Sequence, residues 1–149
     1  IKRGLEFANK DNYNKVFTAC LLHDCAKYIS EKDYAKYGFV KPDNMPEPVV
    51  HSFLGALVAE RDFGINDCEI LDAIKYHTTG RPNMTELEKI VYIADKTEQT
   101  RPYPLEHLLS GSLDEIFVKC LAEANEYRIQ AHGDADFPLT DETLAFYLK

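Results

Sequence analysis

Apolar residues recur at helical spacing through most of the chain. One apolar row lies within residues 12–28 and comprises Val16, Phe17, Cys20 and Leu21. Apolar positions three and four residues apart share one face of a helix, so this row predicts a helix with a buried stripe.

The same periodicity, combined with start and stop signals, predicts several further helices. They cover residues 47–63, 66–76, 85–99, 112 to about 133, a short stretch from Thr140, and residues 2–9 as the end of another helix. Three of them begin with a capping pattern, in which Asn66, Thr85 or Ser112 is followed three residues later by Glu. Residues 30–46 lack periodicity and contain several turn-forming residues. Because no segment alternates with period two, the predicted fold is all-α, a compact helical bundle forming a single domain over residues 1–149.

Charge and composition limit the partners of the chain. It has 25 acidic and 17 basic residues, a net charge of −8, which disfavours nucleic acid as a partner. It does not disfavour a small nucleotide held in a local positive pocket. No apolar run approaches the roughly 20 residues that span a bilayer, so no membrane partner is expected. The four cysteines form no CxxC pair, which indicates free thiols and a cytoplasmic location.

Two carboxylates fall on apolar helix rows. Asp24 continues the row of the helix predicted over 12–28 at four-residue spacing, and Asp95 does the same in the helix over 85–99. A carboxylate facing a core is costly unless it is paired or bound to metal. Taken alone, Asp24 beside His23 is better explained by a surface ion pair with Lys27, and a lone Asp95 is often explained by a hydrogen bond between helices. Two of them in one small domain favour a metal site.

Three histidines complete the candidate site. Imidazole and carboxylate ligands together favour Fe, Mn, Co or Zn over Ca. The candidate metal ligands are His23, Asp24, His51, His77 and Asp95. Within this set we expect Asp24 to bridge two divalent ions, and Asp24, His51 and His77 are the candidate catalytic residues. The alternative is a structural helical domain that binds no metal and whose polar core groups are satisfied by one another.

The loop after His77 has the composition of a phosphate site. Gly80 permits a tight turn or a close backbone approach, and the planar fork of Arg81 suits a phosphate group. An ordinary polar connector with an exposed Arg explains this loop equally well when it is taken alone. The candidate substrate-binding residues, in this loop and elsewhere, are Lys27, His51, Thr78, Thr79, Arg81 and Arg101.

Three segments carry a resemblance to a known family. They are LLHDCAKY (21–28), HSFLGA (51–56) and AIKYHTTGRPNMTELEKIVYIADKTEQTR (73–101). They resemble the HD superfamily of metal-dependent phosphohydrolases and, within it, the bacterial symmetrical diadenosine tetraphosphatases, over most of residues 15–110. The resemblance implies an all-α fold of the HD-domain type and a di-iron or related centre, with Mn or Co as other possible ions. It also implies cleavage of diadenosine tetraphosphate to two ADP by a metal-activated water.

The chain departs from this family at one ligand. The family's first ligand is a His on a helix upstream of the His-Asp doublet, and residues 1–22 contain no His. We expect the helix that carries it to precede Ile1. Two alternatives for function stay open: a phosphohydrolase of another nucleotide, nicotinamide-related or signalling, and a non-catalytic nucleotide-sensing domain. The sequence does not determine the oligomeric state, although a dimer is compatible with it.

Overall fold

All regular structure that we describe is helical. The computed structural model describes residues 1–99, 101–132 and 137–149, and no strand occurs in these ranges. The helices are α1 (Lys2–Glu6), α2 (Tyr13–Leu22), α3 (Glu47–Phe63), α4 (Cys68–Lys75), α5 (Glu86–Lys96), α6 (Leu113–His132) and α7 (Pro138–Leu148), with short 3-10 helices at Glu31–Tyr37 and Glu106–Leu108. The predicted all-α fold is confirmed.

Two of the predicted capping patterns begin helices. At α5, Thr85 and Glu88 form a reciprocal capping box. Before α6, Ser112 Oγ accepts from the backbone N–H of Glu115 at 3.2 Å, and Glu115 Oε1 accepts from the backbone N–H of Ser112 at 3.3 Å. Each pair satisfies two backbone donors that the first turn of a helix leaves free. The end of α6 predicted near Gly133 lies outside the described residues.

Two other helix starts were predicted wrongly. The cap of α4 is Asp67 rather than Asn66, because the Asp67 carboxylate accepts from the backbone N–H of Glu69 at 2.9 Å. Helix α7 begins at Pro138, two residues before Thr140. Proline suits a first turn because its missing N–H has no helical acceptor there.

The helix predicted over residues 12–28 ends early, which changes the position of Asp24. Helix α2 stops at Leu22, and the chain continues in tight turns in which Cys25 N–H donates to Leu22 O and Lys27 N–H donates to Asp24 O, each at 3.0 Å. Asp24 is therefore not on a core-facing row, and its side chain is 49% exposed. The expectation that this carboxylate is buried was wrong.

Helix α2 also buries a narrower stripe than predicted. Val16 and Cys20 lie in the core together with Ala19, but Phe17 and Leu21 are 40% and 55% exposed. Helices α1, α4 and α5 pack against α2, and the buried residues are those that face these helices.

Helix α5 holds the bundle together. It packs against α1, α2, α4 and α6, and Ile90, Val91 and Ile93 are buried at its centre. Helix α4 packs against both α2 and α3. These contacts bring the C-terminal ends of α2, α4 and α5 together.

The segment predicted to be irregular packs against α3. It contains the 3-10 helix Glu31–Tyr37, and Tyr34 and Met45 are buried in one cluster with α3 residues. The Tyr37 hydroxyl donates to Asp62 at 2.6 Å and ties the segment to that helix. In the ranges given above, no helix is long and apolar enough to cross a membrane.

Candidate metal centre

Three helix ends bring together three potential metal ligands. His23 follows α2, His77 follows α4, and Asp95 lies in the last turn of α5. Their ligand atoms lie within 4.8 Å of one another. The two imidazole rings meet edge to face with centroids 5.0 Å apart, and His23 Nε2 is 3.5 Å from Asp95 Oδ1.

Both imidazoles are oriented by backbone carbonyls. His23 Nδ1 lies 2.6 Å from Cys20 O, and His77 Nδ1 lies 2.6 Å from Ile74 O. A carbonyl oxygen only accepts hydrogen bonds, so each Nδ1 carries the hydrogen and donates. The Nε2 atoms of the neutral rings are then free to bind a metal, and a hydrogen bond at the other ring nitrogen is usual for metal-binding histidines. The residues present therefore fit a divalent ion.

Asp24 lies between the two imidazoles on the open side of the cluster. Its Oδ2 is 3.2 Å from His23 Nε2, and its Oδ1 is 3.7 Å from His77 Nε2. One carboxylate thus faces both rings through different oxygens, which is compatible with the bridging role predicted for Asp24.

The two carboxylates, Asp24 and Asp95, stabilise positive charge on the groups around them. Burial disfavours the charged form of His23, but hydrogen bonds to Asp24 and Asp95 outweigh it and raise the pKa of His23 to about 10. The same hydrogen bond lowers the pKa of Asp24, with a further contribution from His77. Burial opposes ionisation of Asp95, yet nearby Lys96 and His23 hold its pKa well below the usual range. Ionised carboxylates around neutral or protonated imidazoles attract either a proton or a metal ion, and the two compete.

Two cations lie at the buried carboxylate. Lys96 Nζ donates to Asp95 Oδ2 at 2.9 Å and to the backbone carbonyl of His77 at 3.3 Å. Arg101 donates from Nη2 to Asp95 Oδ1 and from Nε to Asp95 O, both at 2.9 Å. They compensate the charge of a carboxylate that is only 9% exposed, and they give this side of the cluster a positive edge.

His51 and Lys27 lie outside this group of close contacts. His51 is on α3, and its Nε2 is 3.6 Å from Glu47 on the same helix. Thr78 Oγ1 donates to Pro48 O at 3.3 Å, so the first turn of α3 lies beside Thr78, the residue that follows His77. Lys27 is exposed on the turn after α2. The roles predicted for His51 and Lys27 stay predictions.

Arg81 makes a strong contact within the protein. Its Nε and Nη2 donate to the two carboxylate oxygens of Glu88 at 2.7 and 2.8 Å, and its guanidinium lies 4.6 Å from the centre of the Tyr76 ring. Glu88 is only 1% exposed. The part of the fork left for a phosphate is Nη1, so the predicted substrate contact of Arg81 stays a prediction.

Gly80 serves both purposes expected of it. Its φ of +69° is a left-handed conformation, and a Cβ at this position would lie 2.8 Å from Thr143 Cγ2 in α7. Thr79 Oγ1 donates to Gly80 O at 2.8 Å. The loop therefore passes close to α7 in a turn that favours glycine.

A cavity of about 510 Å³ opens beside the cluster. Lys96 and Arg101 line it and also bind Asp95, so it adjoins the candidate metal ligands directly. Thr78 and Thr79 line it as well. Three predicted substrate-binding residues therefore face this cavity: Thr78, Thr79 and Arg101.

The HD domain family matches residues 2–100 of the chain. The chain belongs to the HD domain family. The matched segment contains the whole cluster of His23, Asp24, His77 and Asp95. The family membership indicated by the sequence resemblance is confirmed.

Relatives of this HD domain chain carry more specific names. A Bacillus subtilis protein named symmetrical bis(5'-nucleosyl)-tetraphosphatase is 33% identical over 124 residues, which are 78% of this chain and 62% of the relative. A Staphylococcus aureus protein of the same name is 40% identical over 61% of this chain and 50% of its own length. The chain thus spans about half to three-fifths of the length of these curated relatives.

A solved structure is similar over nearly the whole chain. It is the crystal structure of a Clostridium acetobutylicum protein described as a predicted HD superfamily hydrolase involved in NAD metabolism. The two superimpose with a TM-score of 0.84 and 28% identity, covering 99% of this chain and 84% of the other.

The sequence pattern of this HD domain did not reveal two of the charged groups near the candidate site residues. Lys96 was missed although it directly follows Asp95, where a cation would compensate the charge of a buried carboxylate. Glu88 was recognised only as part of a helix cap, and its pairing with Arg81 was not predicted.

Proposed function

We propose that this HD domain chain is a metal-dependent phosphohydrolase that cleaves diadenosine tetraphosphate symmetrically into two ADP. One observation carries the proposal. The Nε2 atoms of His23 and His77 and the carboxylate of Asp95 converge beside a cavity that Lys96 and Arg101 line. The substrate assignment is supported by the names of the Bacillus and Staphylococcus relatives.

We propose that the cofactor is a pair of divalent metal ions. Iron is the preferred metal, and Mn or Co can replace it. Their proposed ligands are His23, Asp24, His51, His77 and Asp95. A divalent ion supplies a water of lowered pKa at neutral pH and stabilises charge on a phosphoryl group. The two backbone-oriented imidazoles and the buried carboxylate present their ligand atoms before the ion arrives, which lowers the reorganisation that binding requires.

The chain's own residues hold and orient the polyphosphate. Arg101 and Lys96 neutralise charge on the bound phosphates from the cavity side. On substrate binding, the hydroxyls of Thr78 and Thr79 exchange their present backbone acceptors for phosphate oxygens. Arg81 reaches the phosphates through Nη1. The proposed acceptor of a proton from the attacking water is Asp24, and its half-exposed position between the two imidazoles supports this role.

The products formed in oxygen-18 water test the proposal. Symmetrical cleavage produces ADP as the only nucleotide, with one solvent oxygen per two ADP formed. The assay supplies iron under reducing conditions and, separately, Mn and Co. It uses the 149-residue chain. Appearance of ATP and AMP would reject symmetrical cleavage, and bound nucleotide without turnover under all three metals would favour a sensing domain.

A nicotinamide-related dinucleotide is the second candidate substrate. The observation that favours it is the fold similarity to the Clostridium protein described as involved in NAD metabolism. A substrate panel separates the two candidates. If the first candidate is right, kcat/KM for diadenosine tetraphosphate should exceed that for nicotinamide dinucleotides and for signalling nucleotides.

A further inference from the structure

We infer that the cavity beside the metal ligands is the subsite for one nucleoside of the substrate, and that α6 provides its outer wall. This inference rests on the proposed function for the phosphate end of the ligand and adds where the base and ribose bind. The cavity's volume of about 510 Å³ lies within the range of roughly 300–1,000 Å³ typical of small-molecule sites.

The charges around the cavity are opposite to those of the chain as a whole. The chain carries a net charge of −8, yet among the described residues the cavity is lined by three cations and one anion, namely Lys96, Arg101, Arg128 and Glu47. Lys96 and Arg101 lie at the end that adjoins Asp95. A ligand whose phosphates reach the cluster would therefore direct its remaining part into the cavity.

The rest of the lining suits a flat aromatic ring. Tyr103 and Tyr127 form part of one wall, with ring centroids 5.8 Å apart, and Tyr92 lies buried at the cation end with Lys96 Nζ 4.7 Å from its ring centre. The Tyr103 hydroxyl donates to the backbone carbonyl of Lys96 at 2.6 Å, which fixes this ring relative to the cations. A nucleobase stacks on such side chains irrespective of its identity.

Asn125 supplies a polar group at the α6 wall. Its Oδ1 accepts from Arg128 Nη2 at 2.9 Å, which assigns the amide nitrogen to the opposite side of the side chain. That nitrogen can donate to an acceptor on a base edge or a ribose hydroxyl. A cationic end, an aromatic wall and an amide donor together match a nucleoside polyphosphate better than a purely apolar ligand.

Calorimetric titration without metal tests the subsite separately from catalysis. Adenosine and ADP are titrated into the 149-residue chain in buffer containing a chelator. Ala124 lines the cavity, whereas Ala122 on the same helix is exposed. We expect both ligands to bind the wild-type chain. Ala124→Phe should fill the cavity and weaken the binding of both ligands by about tenfold or more. Ala122→Phe should leave both affinities unchanged.

A second pair of variants covers the case in which Ala124→Phe fails to fold. Tyr127 is 39% exposed, so its truncation should leave the fold intact. Tyr127→Ala should weaken the binding of adenosine about five- to a hundredfold. Tyr127→Phe keeps the ring and should retain the wild-type affinity. Absence of adenosine and ADP binding to the wild-type chain, or wild-type affinity in both Ala124→Phe and Tyr127→Ala, overturns the inference even if the chain hydrolyses nucleotides. Binding that these variants weaken, in a chain that hydrolyses nothing with any metal, supports the subsite and refutes the proposed function.

Discussion

Replacing Arg81 with Ala should destabilise the fold, because Arg81 is the only cation within salt-bridge distance of Glu88 in the described part of the chain. The Glu88 carboxylate is 1% exposed and receives two hydrogen bonds from Arg81. Without Arg81 it would stay buried and charged, with Thr85 Oγ1 at 2.8 Å and Thr85 N–H at 3.3 Å as its remaining donors.

The expected cost follows from this geometry. Breaking a buried ion pair by removing one partner costs about 3–5 kcal/mol, and the two remaining Thr85 donors place the value near the lower end. For a chain of this length, 3 kcal/mol corresponds to a fall in melting temperature of roughly 6–12 °C. Glu88→Gln should cost less, because the Arg81 side chain is 30% exposed and can turn its charge toward water.

Urea unfolding of matched variants measures these differences. Lys27→Ala is the control, since an exposed cation should change the free energy of unfolding by less than about 0.5 kcal/mol. The double replacement Arg81→Met with Glu88→Leu removes both charges and should recover much of the loss.

The result that refutes this reasoning is an Arg81→Ala variant as stable as Lys27→Ala. Arg81 would then be a surface residue available for substrate. The phosphate role has its own readout, a fall in kcat/KM of about tenfold to a hundredfold at unchanged metal content. Arg81→Lys should recover this activity only in part, because an ammonium group cannot form the planar fork.

Three further predictions concern the metal ligands and the loop. Asp24→Ala and Asp95→Ala should each lose bound metal and turnover, as measured by elemental analysis and by the ADP assay, and full metal occupancy in both would refute the ligand assignment. The pKa of His23 is raised to about 10 in the fold, so protonated His23 stabilises the metal-free protein. This stabilisation is fully present below pH 6.5 and is lost as the pH rises toward 10. Urea unfolding in chelator should therefore show a decline from pH 7 to 10 that His23→Gln lacks, and an equal decline in the variant would contradict it. Gly80→Ala should cost about 1–3 kcal/mol more than Gly38→Ala, because both glycines have φ near +70° but only Gly80 would place a Cβ against another side chain. Equal costs for the two would show that the close approach to α7 is unimportant.

The sequence predicted the helices well because their signals are local. The capping box of Thr85 with Glu88 and the pair of Ser112 with Glu115 act within one turn, and both begin helices as expected. The cavity has no such signal. Its walls combine Thr78 and Lys96 with α6 residues far along the chain, and Tyr127 joins these walls only when α6 is packed.

The two aspartates show where helical periodicity stops being informative. The prediction of Asp95 as a buried carboxylate on an apolar stripe was correct, because α5 stays helical through Lys96 and keeps every fourth residue on the same face. The same argument failed for Asp24, because α2 ends at Leu22 and the turns that follow rotate the side chain to the open side of the cluster. Yet both carboxylates lie at the same pair of imidazoles. The exposed position suits the role proposed for Asp24 better than the predicted one, since a group that is to contact water and substrate must be reached from outside. Asp95 is proposed only as a metal ligand and can be buried.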